Sequence, residues 1–198
     1  MKRDPLVIIV SAPSGSGKTT IVDSMLKSMD GIEQTVSYTT RLPRNGERDG
    51  QDYIFVSEED FRKRIEEGDF LEWEENFGNL YGTSEEQVRK TLARGADIIL
   101  SIDVKGARNV KNRFPESISI FIMPPSEEEL ARRLRNRRTD DDRQVVIRLK
   151  EAAREIKASE EYDYLLINDD LERAVDELKG IIEQERLRKM AHAKNKGE

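Results

Sequence analysis

A stretch of ten residues near the start of the chain holds the side chains best suited to chemistry. It reads SAPSGSGKTT, residues 11–20, and combines small residues with Lys18 and Thr19. Glycines let backbone N–H groups close around phosphate oxygens, a lysine adds a point charge, and a threonine hydroxyl is a ligand for Mg²⁺. The spacing predicts a P-loop, which binds the phosphate groups of a nucleotide.

The elements on either side of this stretch must position it. Leu6 to Val10 is an unbroken apolar run, typical of a buried strand in a parallel sheet, and a helical pattern follows Thr19. The start of that helix would direct its positive end at the bound phosphates. Ala12 stands where the full pattern has glycine, so a surface loop that happens to hold a lysine is the alternative interpretation.

Composition limits the class of protein. The chain has 198 residues, a net charge of -6, 36% apolar and 37% charged residues, and no cysteine. The length suits one globular unit, and the acidic balance argues against a general nucleic-acid binder. Without cysteine there can be no disulfide or cysteine-based zinc site.

No apolar run reaches membrane-spanning length and the start of the chain lacks a signal-peptide pattern, so we expect a cytoplasmic protein with no membrane partner. The sequence does not indicate an oligomeric state.

Strands and helices alternate along the rest of the chain. Further strands are predicted at Asp97–Asp103, Ser117–Met123 and Tyr164–Ile167, and shorter ones at Thr35–Thr40 and Tyr53–Val56. This alternation predicts an α/β fold, a parallel sheet with helices on both faces. The polar loop within residues 35–57 is rich in glycine and arginine and is too long for an ordinary connection, which makes it a functional candidate.

Capping residues predict where the helices begin. Ser57, Ser84 and Ser126 each precede a helical pattern and are followed three residues later by an acidic residue or glutamine. A last amphipathic helix is predicted over Leu171–Lys189, followed by a frayed tail.

Seven segments, in their order and spacing, make the chain resemble guanylate kinases over nearly its whole length. They are SAPSGSGKTT (11–20), SYTTRLPRNGERDGQDYIFVS (37–57), FLEW (70–73), NLYGTS (79–84), IDVKGA (102–107), FIMPPS (121–126) and INDDL (167–171). The resemblance implies a P-loop NTPase-type parallel sheet flanked by helices, with an inserted GMP-binding domain and a lid. The implied divisions are a core at 1–35, a GMP-binding domain at 36–86, core at 87–126, a lid at 127–155, and core with the C-terminal helix at 156–198.

The implied reaction transfers a phosphoryl group from ATP to GMP, giving ADP and GDP with Mg²⁺, and dGMP would fit similarly. The residues that the resemblance assigns to GMP are Ser37, Arg41, Arg44, Tyr53, Glu72, Tyr81, Thr83 and Asp103. Arginine offers paired donors to phosphate, and a carboxylate at Glu72 accepts from the adjacent N1–H and amino group of guanine. Taken without the resemblance, the arginines could decorate a solvated loop, the tyrosines could pack in a core, and Glu72 could be a surface glutamate.

The resemblance assigns ATP to the P-loop and to an asparagine near the chain's end, namely Ala12, Pro13, Ser14, Gly15, Ser16, Gly17, Lys18, Thr19, Thr20 and Asn168. Thr19 would bind Mg²⁺, with Asp103 acting through water, although Ser101 stands where many relatives carry an acidic residue. The residues implied for catalysis are Lys18, Arg41, Arg133, Arg137 and Arg148. Because Arg137 and Arg138 are adjacent, a shift of one residue in the alignment would exchange them. No general base is needed, because the accepting phosphate is mostly ionised at neutral pH.

Two other functions stay open at this point. Guanylate-kinase-like domains that bind partner proteins have lost catalysis, and such domains tend to lose the P-loop lysine or the monophosphate contacts, which this chain keeps. A P-loop kinase for another monophosphate is the second alternative, because base choice rests on few groups.

Overall fold

The computed structural model describes residues 4–76, 78–136 and 142–195. Its strands are β1 (Val7–Ser11), β2 (Ile32–Gln34), β3 (Tyr38–Thr39), β4 (Ile54–Phe55), β5 (Phe70–Asn76), β6 (Asn79–Ser84), β7 (Asp97–Ser101), β8 (Ile118–Met123) and β9 (Tyr164–Ile167). Its helices are α1 (Lys18–Leu26), α2 (Glu58–Glu67), α3 (Glu85–Ala93), α4 (Val104–Arg113), α5 (Glu127–Arg135), α6 (Asp142–Lys157) and α7 (Leu171–Asn195).

A five-stranded sheet in the order β2-β7-β1-β8-β9 forms the centre of the fold, and all its pairings are parallel. Side chains alternate along β1, so Ile8 and Val10 pack against α1 and α7, while Val7 and Ile9 pack on the opposite face with α3 and α4. Helices therefore cover both faces of the sheet, which confirms the predicted architecture. The central strands β1, β7 and β8 are almost entirely buried, as parallel strands inside a sheet require, whereas Leu165 and Ile167 of the edge strand β9 are half exposed.

The sequence-based prediction missed the strand at the first edge of this sheet. Strand β2 (Ile32–Gln34) pairs with β7, whereas the extended piece predicted at Thr35–Thr40 contains β3, a strand of the second sheet. Ile32 is the only apolar residue of β2, so the strand lacks the hydrophobic run that would reveal it. The structure also ends β7 at Ser101 rather than at Asp103, because Asp103 caps α4 with its side chain.

A second sheet has the strand order β4-β3-β6-β5. Its strands come from the part of the chain between β2 and α3. Strands β5 and β6 form an antiparallel hairpin whose register shifts between Phe70 and Glu72. A small core of Phe61, Phe70 and Leu80 supports the sheet, with the rings of Phe61 and Phe70 stacked at a centroid distance of 4.5 Å. Strand β5 of this unit places the Glu72 side chain next to Gly106, in the first turn of α4, the helix that follows the end of β7.

The predicted caps are confirmed. Ser57, Ser84 and Ser126 each accept a hydrogen bond from the backbone N–H three residues ahead, at the start of α2, α3 and α5. The prediction of a frayed tail after Lys189 was wrong for the residues up to Asn195, because α7 continues to that residue. Among the helices of the described residues, none has the length and apolar content needed to cross a bilayer.

Candidate active site

A cleft of about 990 Å³ opens between the P-loop, the second sheet and α6. It brings together most of the residues that the sequence suggested, namely Ala12, Pro13, Ser14, Gly15, Gly17, Lys18, Thr19, Thr20, Ser37, Arg41, Arg44, Tyr53, Glu72, Tyr81, Asp103 and Arg148. A groove of about 540 Å³ between α2 and α3 contains none of them and is bordered by ion pairs such as Arg89–Glu85. We therefore place the candidate site in the larger cleft.

The P-loop connects β1 to α1 through two glycines with left-handed backbone. Gly15 has φ 96° and Gly17 has φ 89°, conformations that residues with a Cβ rarely adopt. Gly17 also has no room for a side chain, because a Cβ there would collide with the amide of Asn168. The Asn168 side chain is buried and its Nδ2 donates to the Ser16 carbonyl at 2.6 Å. Asn168 therefore supports the P-loop from behind and does not border the cleft.

Lys18 extends across the end of the central sheet. Its Nζ donates to the carbonyl of Ile102, at the end of β7, at 3.1 Å. Desolvation lowers the pKa of Lys18, and the negative charges of Asp103, Glu155 and Glu72 oppose this shift. The flexible side chain can exchange the carbonyl for a phosphate oxygen, which is a stronger, charge-assisted partner.

Thr19 and Asp103 carry oxygen atoms of the kind that bind Mg²⁺ or hold its water ligands. Thr19 is exposed at the start of α1, and Asp103 borders the same cleft with one oxygen, Oδ1, bound to the Gly106 N–H at 2.9 Å. The nearby Ser101 Oγ is buried and has no hydrogen-bond partner among the described residues. Among the described residues, no group of three or more acidic, histidine or cysteine side chains is arranged so that it could hold a metal ion by itself.

Glu72 is a buried carboxyl group facing the P-loop lysine. Only 7% of the residue is exposed, and Thr83 on the paired strand donates its hydroxyl proton to Glu72 Oε1. Burial raises the pKa of Glu72 to about 7; the Thr83 hydrogen bond lowers it, while the charges of Asp103 and Glu74 raise it. A glutamate on an exposed surface would be neither buried nor shifted in its pKa. The interpretation of Glu72 as a surface glutamate is therefore wrong.

The resemblance also assigns Thr83 to GMP. In the structure the Thr83 hydroxyl, which has one proton, donates that proton to Glu72. Thr83 is fully buried and lies behind Glu72 rather than on the cleft wall. Its observed contact orients the carboxylate.

Two tyrosines and two arginines form the far wall of the cleft. The rings of Tyr53 and Tyr81 meet edge to face at 6.0 Å, and the guanidinium carbon of Arg41 lies 5.3 Å from the centre of the Tyr53 ring. Arg44 is exposed beside them. Four side chains whose donors suit a phosphate group, two of them planar cationic guanidinium groups, thus converge on one region.

The arginines expected over the transferred phosphate fall into three situations. Arg148 on α6 donates to the Ser14 hydroxyl at 2.9 Å and borders the cleft. Arg133 on α5 binds Glu129 and the carbonyl of Asn168, so its guanidinium lies behind the P-loop. Arg137 lies outside the described residues.

Sequence reasoning missed two carboxyl groups of this site. Glu47 binds Arg41 through both oxygens. Glu155 borders the cleft close to Lys18 and the Ser14 N–H, and burial raises its pKa to about 7. A signal existed for each: Glu47 lies three residues after Arg44, and Glu155 lies seven residues after Arg148 on the same helix face.

Comparison with known proteins agrees with this geometry. The guanylate kinase family model matches residues 3–185. The chain belongs to the guanylate kinase family. The guanylate kinase of Geobacter metallireducens is 46% identical over 188 residues, covering 95% of this chain and 93% of that protein. The guanylate kinase of Hahella chejuensis is 50% identical, covering 95% of this chain and 90% of its own.

Solved structures lead to the same family. The crystal structure of guanylate kinase from Anaplasma phagocytophilum has a TM-score of 0.78 and 34% identity, covering 93% of this chain and 87% of that chain. Membership of the guanylate kinase family, the enzyme class and the P-loop kinase fold are thereby confirmed. The individual residue roles and the division into core, GMP-binding domain and lid stay predictions.

Proposed function

We propose that the protein transfers the terminal phosphoryl group of ATP to GMP, forming ADP and GDP, and that it also accepts dGMP. One observation carries this proposal: a single cleft joins the P-loop lysine to a buried carboxylate and a pair of arginines. Family membership supports the same reaction. The contacts proposed below do not involve the ribose 2′ position, which is why dGMP is included.

Guanine would bind at Glu72. The ionised carboxylate accepts from N1–H and the exocyclic amino group, whereas adenine places an acceptor at the first of these positions and is repelled. Thr83 holds the carboxylate in place through its hydroxyl. Ser37 and Asp103 border the same part of the cleft and complete the proposed base contacts.

The GMP phosphate would bind Arg41, Arg44, Tyr53 and Tyr81. Two guanidinium groups match a dianion in charge, and the phenol groups add donors without further charge. Held in this way, an oxygen of the GMP phosphate is the attacking atom, and it needs no general base because its second pKa is about 6.

ATP would bind with its phosphates in the P-loop. The backbone N–H groups around Gly15 and Gly17 and the start of α1 face bound oxygens, and Lys18 adds its charge to the outer phosphates. Arg148 would neutralise charge that spreads over the transferred group, and Arg133 would do so after a movement of α5. Arg137 is predicted from the sequence to take the same role. Asn168 supports the loop and is the predicted neighbour of the adenine ring.

Magnesium fits the oxygen ligands at Thr19 and Asp103. Bound there with ATP, the ion would supply charge neutralisation between the outer phosphates. The hydroxyl of Thr19 would be a direct ligand, and the free oxygen of Asp103 would hold a water of the ion's shell. Closure of a GMP-binding domain at 36–86 and a lid at 127–155 would exclude water from the transfer. A cytoplasmic location stays a prediction from the sequence.

Parallel assays with ATP, Mg²⁺ and five acceptors test this function. We expect transfer to GMP and dGMP but not to AMP, CMP or UMP. Lys18→Ala should lower kcat by roughly 10²–10³-fold, as loss of a positioned charge does. Glu72→Gln should lower kcat/KM for GMP by about 10–100-fold, because hydrogen bonds to a charged group are lost. Lys63→Ala and Glu58→Gln, both exposed on α2, are the matched controls.

The outcomes separate the competing functions. Transfer to a different monophosphate would retain the kinase and overturn the guanine pocket. A folded protein that binds GMP and transfers nothing would support the protein-interaction module.

A further inference from the structure

Arg41 is held by a carboxylate from its own loop. Its Nη1 donates to Glu47 Oε2 at 3.0 Å and its Nη2 donates to Glu47 Oε1 at 2.8 Å, a bidentate pair across the end of the guanidinium. The two side chains are 13% and 18% exposed, far less than the exposed pairs on the helices. A bidentate pair that is largely removed from water has a defined geometry.

The hydrogen bonds that Arg41 makes within the protein show which of its N–H groups a ligand could still bind. A guanidinium has five N–H groups. Glu47 takes one from each terminal nitrogen, and the carbonyl of Leu42 takes one from Nη1 at 2.7 Å. The remaining edge, formed by Nε and Nη2, is a second bidentate face. Arg41 borders the cleft beside Tyr53 and Tyr81, and the Tyr81 hydroxyl also interacts with the guanidinium. Glu47 thus binds Arg41 without using the face that suits a phosphate.

Glu47 also holds the second arginine of the loop. Its Oε2 accepts the backbone N–H of Arg44 at 2.7 Å, and its own N–H donates to the Arg44 carbonyl at 3.1 Å. Burial would raise the pKa of Glu47, but the hydrogen bonds from Arg41 and from the Arg44 N–H outweigh burial and lower that pKa. The carboxylate therefore stays charged at neutral pH while it fixes both arginines.

We infer that Glu47 is a positioning residue for the GMP phosphate. It anchors Arg41 by the terminal edge, so that the Nε–Nη2 edge is presented to the phosphate, and it sets the backbone of Arg44 at a matching position. This inference rests on the proposed function, because it assumes that the two arginines bind the phosphate of GMP. Glu47 acts through them and touches no reacting atom.

Comparison of GMP with guanosine isolates the phosphate contact. We would measure Kd for both ligands by calorimetry in the parent protein, in Glu47→Gln and in Glu58→Gln. Glu58 pairs with Arg62 on the exposed side of α2, so it controls for the loss of a glutamate–arginine pair as such. We expect Glu47→Gln to weaken GMP binding by about tenfold or more, as expected when a positioned group moves by up to about 1 Å, and to leave guanosine binding unchanged. Glu58→Gln should change neither.

A double-mutant cycle tests whether Glu47 acts through Arg41. If it does, adding Glu47→Gln to Arg41→Ala should weaken GMP binding much less than it does in the parent, because the residue to be positioned is gone. Equal effects of Glu47→Gln in both backgrounds would overturn the anchoring of Arg41 by Glu47, since only the contacts of Glu47 with Arg44 remain in the Arg41→Ala background. Thermal unfolding of each variant identifies any general loss of structure.

The other outcomes are equally decisive. Equal weakening of GMP and guanosine binding would assign Glu47 to loop stability alone and overturn its role at the phosphate. Tighter GMP binding in Glu47→Gln would mean that the carboxylate competes with the phosphate, which also overturns the inference. If the parent binds guanosine as well as GMP, the phosphate site itself is wrong, and the proposed function fails together with this inference.

Discussion

At the scale of single residues, the titration of Glu72 links burial to base recognition. Its raised pKa, about 7, means that the carboxyl group is neutral in the ligand-free protein below that pH and ionised above it. Only the ionised group accepts from both guanine donors. Guanosine affinity should therefore rise as pH increases from 5.5 to 7.5, by up to about tenfold per pH unit at the acidic end, and then level off.

Guanosine is the ligand for this measurement because it has no phosphate group to titrate. Calorimetry between pH 5.5 and 8.5 gives the affinity, and Glu72→Gln supplies the control, since its affinity should be independent of pH in this range. A parent protein with equally flat affinity would show that Glu72 does not read the base, or is already ionised at pH 5.5.

At the scale of elements, one buried ion pair joins both ends of the chain to the central sheet. Asp97, fully buried at the start of β7, accepts the N–H of Leu6 and the Nε of Arg186 on α7, both at 2.7 Å. Arg186 also donates to the carbonyl of Asp30 at 2.9 Å. These contacts hold α7 against the sheet.

Removal of the buried partner should destabilise the fold strongly. We expect Asp97→Ala to lower the free energy of unfolding by about 3–5 kcal/mol, because it leaves Arg186 without its counter-charge and the Leu6 N–H without this acceptor. Glu33→Ala removes an exposed pair with Arg94 and should cost less than about 1 kcal/mol. Urea unfolding at pH 7 measures the free energy of unfolding of both variants. Equal losses would contradict the expectation that the buried Asp97 pair contributes more than the exposed Glu33 pair.

At the scale of the whole molecule, the three parts of the cleft belong to different elements. The P-loop extends from the central sheet, most of the residues proposed to bind guanine and the GMP phosphate lie in the second sheet and its loops, and Arg148 lies on α6. Transfer requires all three to converge on one phosphoryl group with water excluded. We expect the radius of gyration to fall when GMP and a non-hydrolysable ATP analogue bind together, and to fall less with either alone.

Small-angle X-ray scattering measures this change. Lys18→Ala with both ligands is the comparison, because weaker phosphate binding should reduce the closure. An unchanged radius of gyration, with both ligands shown to be bound by calorimetry, would contradict domain closure.

The sequence by itself determined the catalytic class and the central architecture. The P-loop residues, the strands of β1, β8 and β9 and the three serine caps depend on neighbours in sequence, so local patterns suffice to predict them. The ordered motifs also identified the family. What the sequence did not reveal was the short strand β2, with a single apolar residue, and the continuation of α7 from Lys189 to Asn195.

Only the tertiary structure decided how the site residues act on each other. It brings Thr83 to Glu72 across a hairpin and withdraws both from water, which raises the pKa of the carboxyl group. It turns Glu47 onto Arg41 and places Asn168 behind the P-loop, 152 positions from the Ser16 carbonyl that it binds. Residue type dictates which hydrogen bonds and charges are possible, but burial and distance decide which ones form, and both come from the packing of segments far apart in sequence.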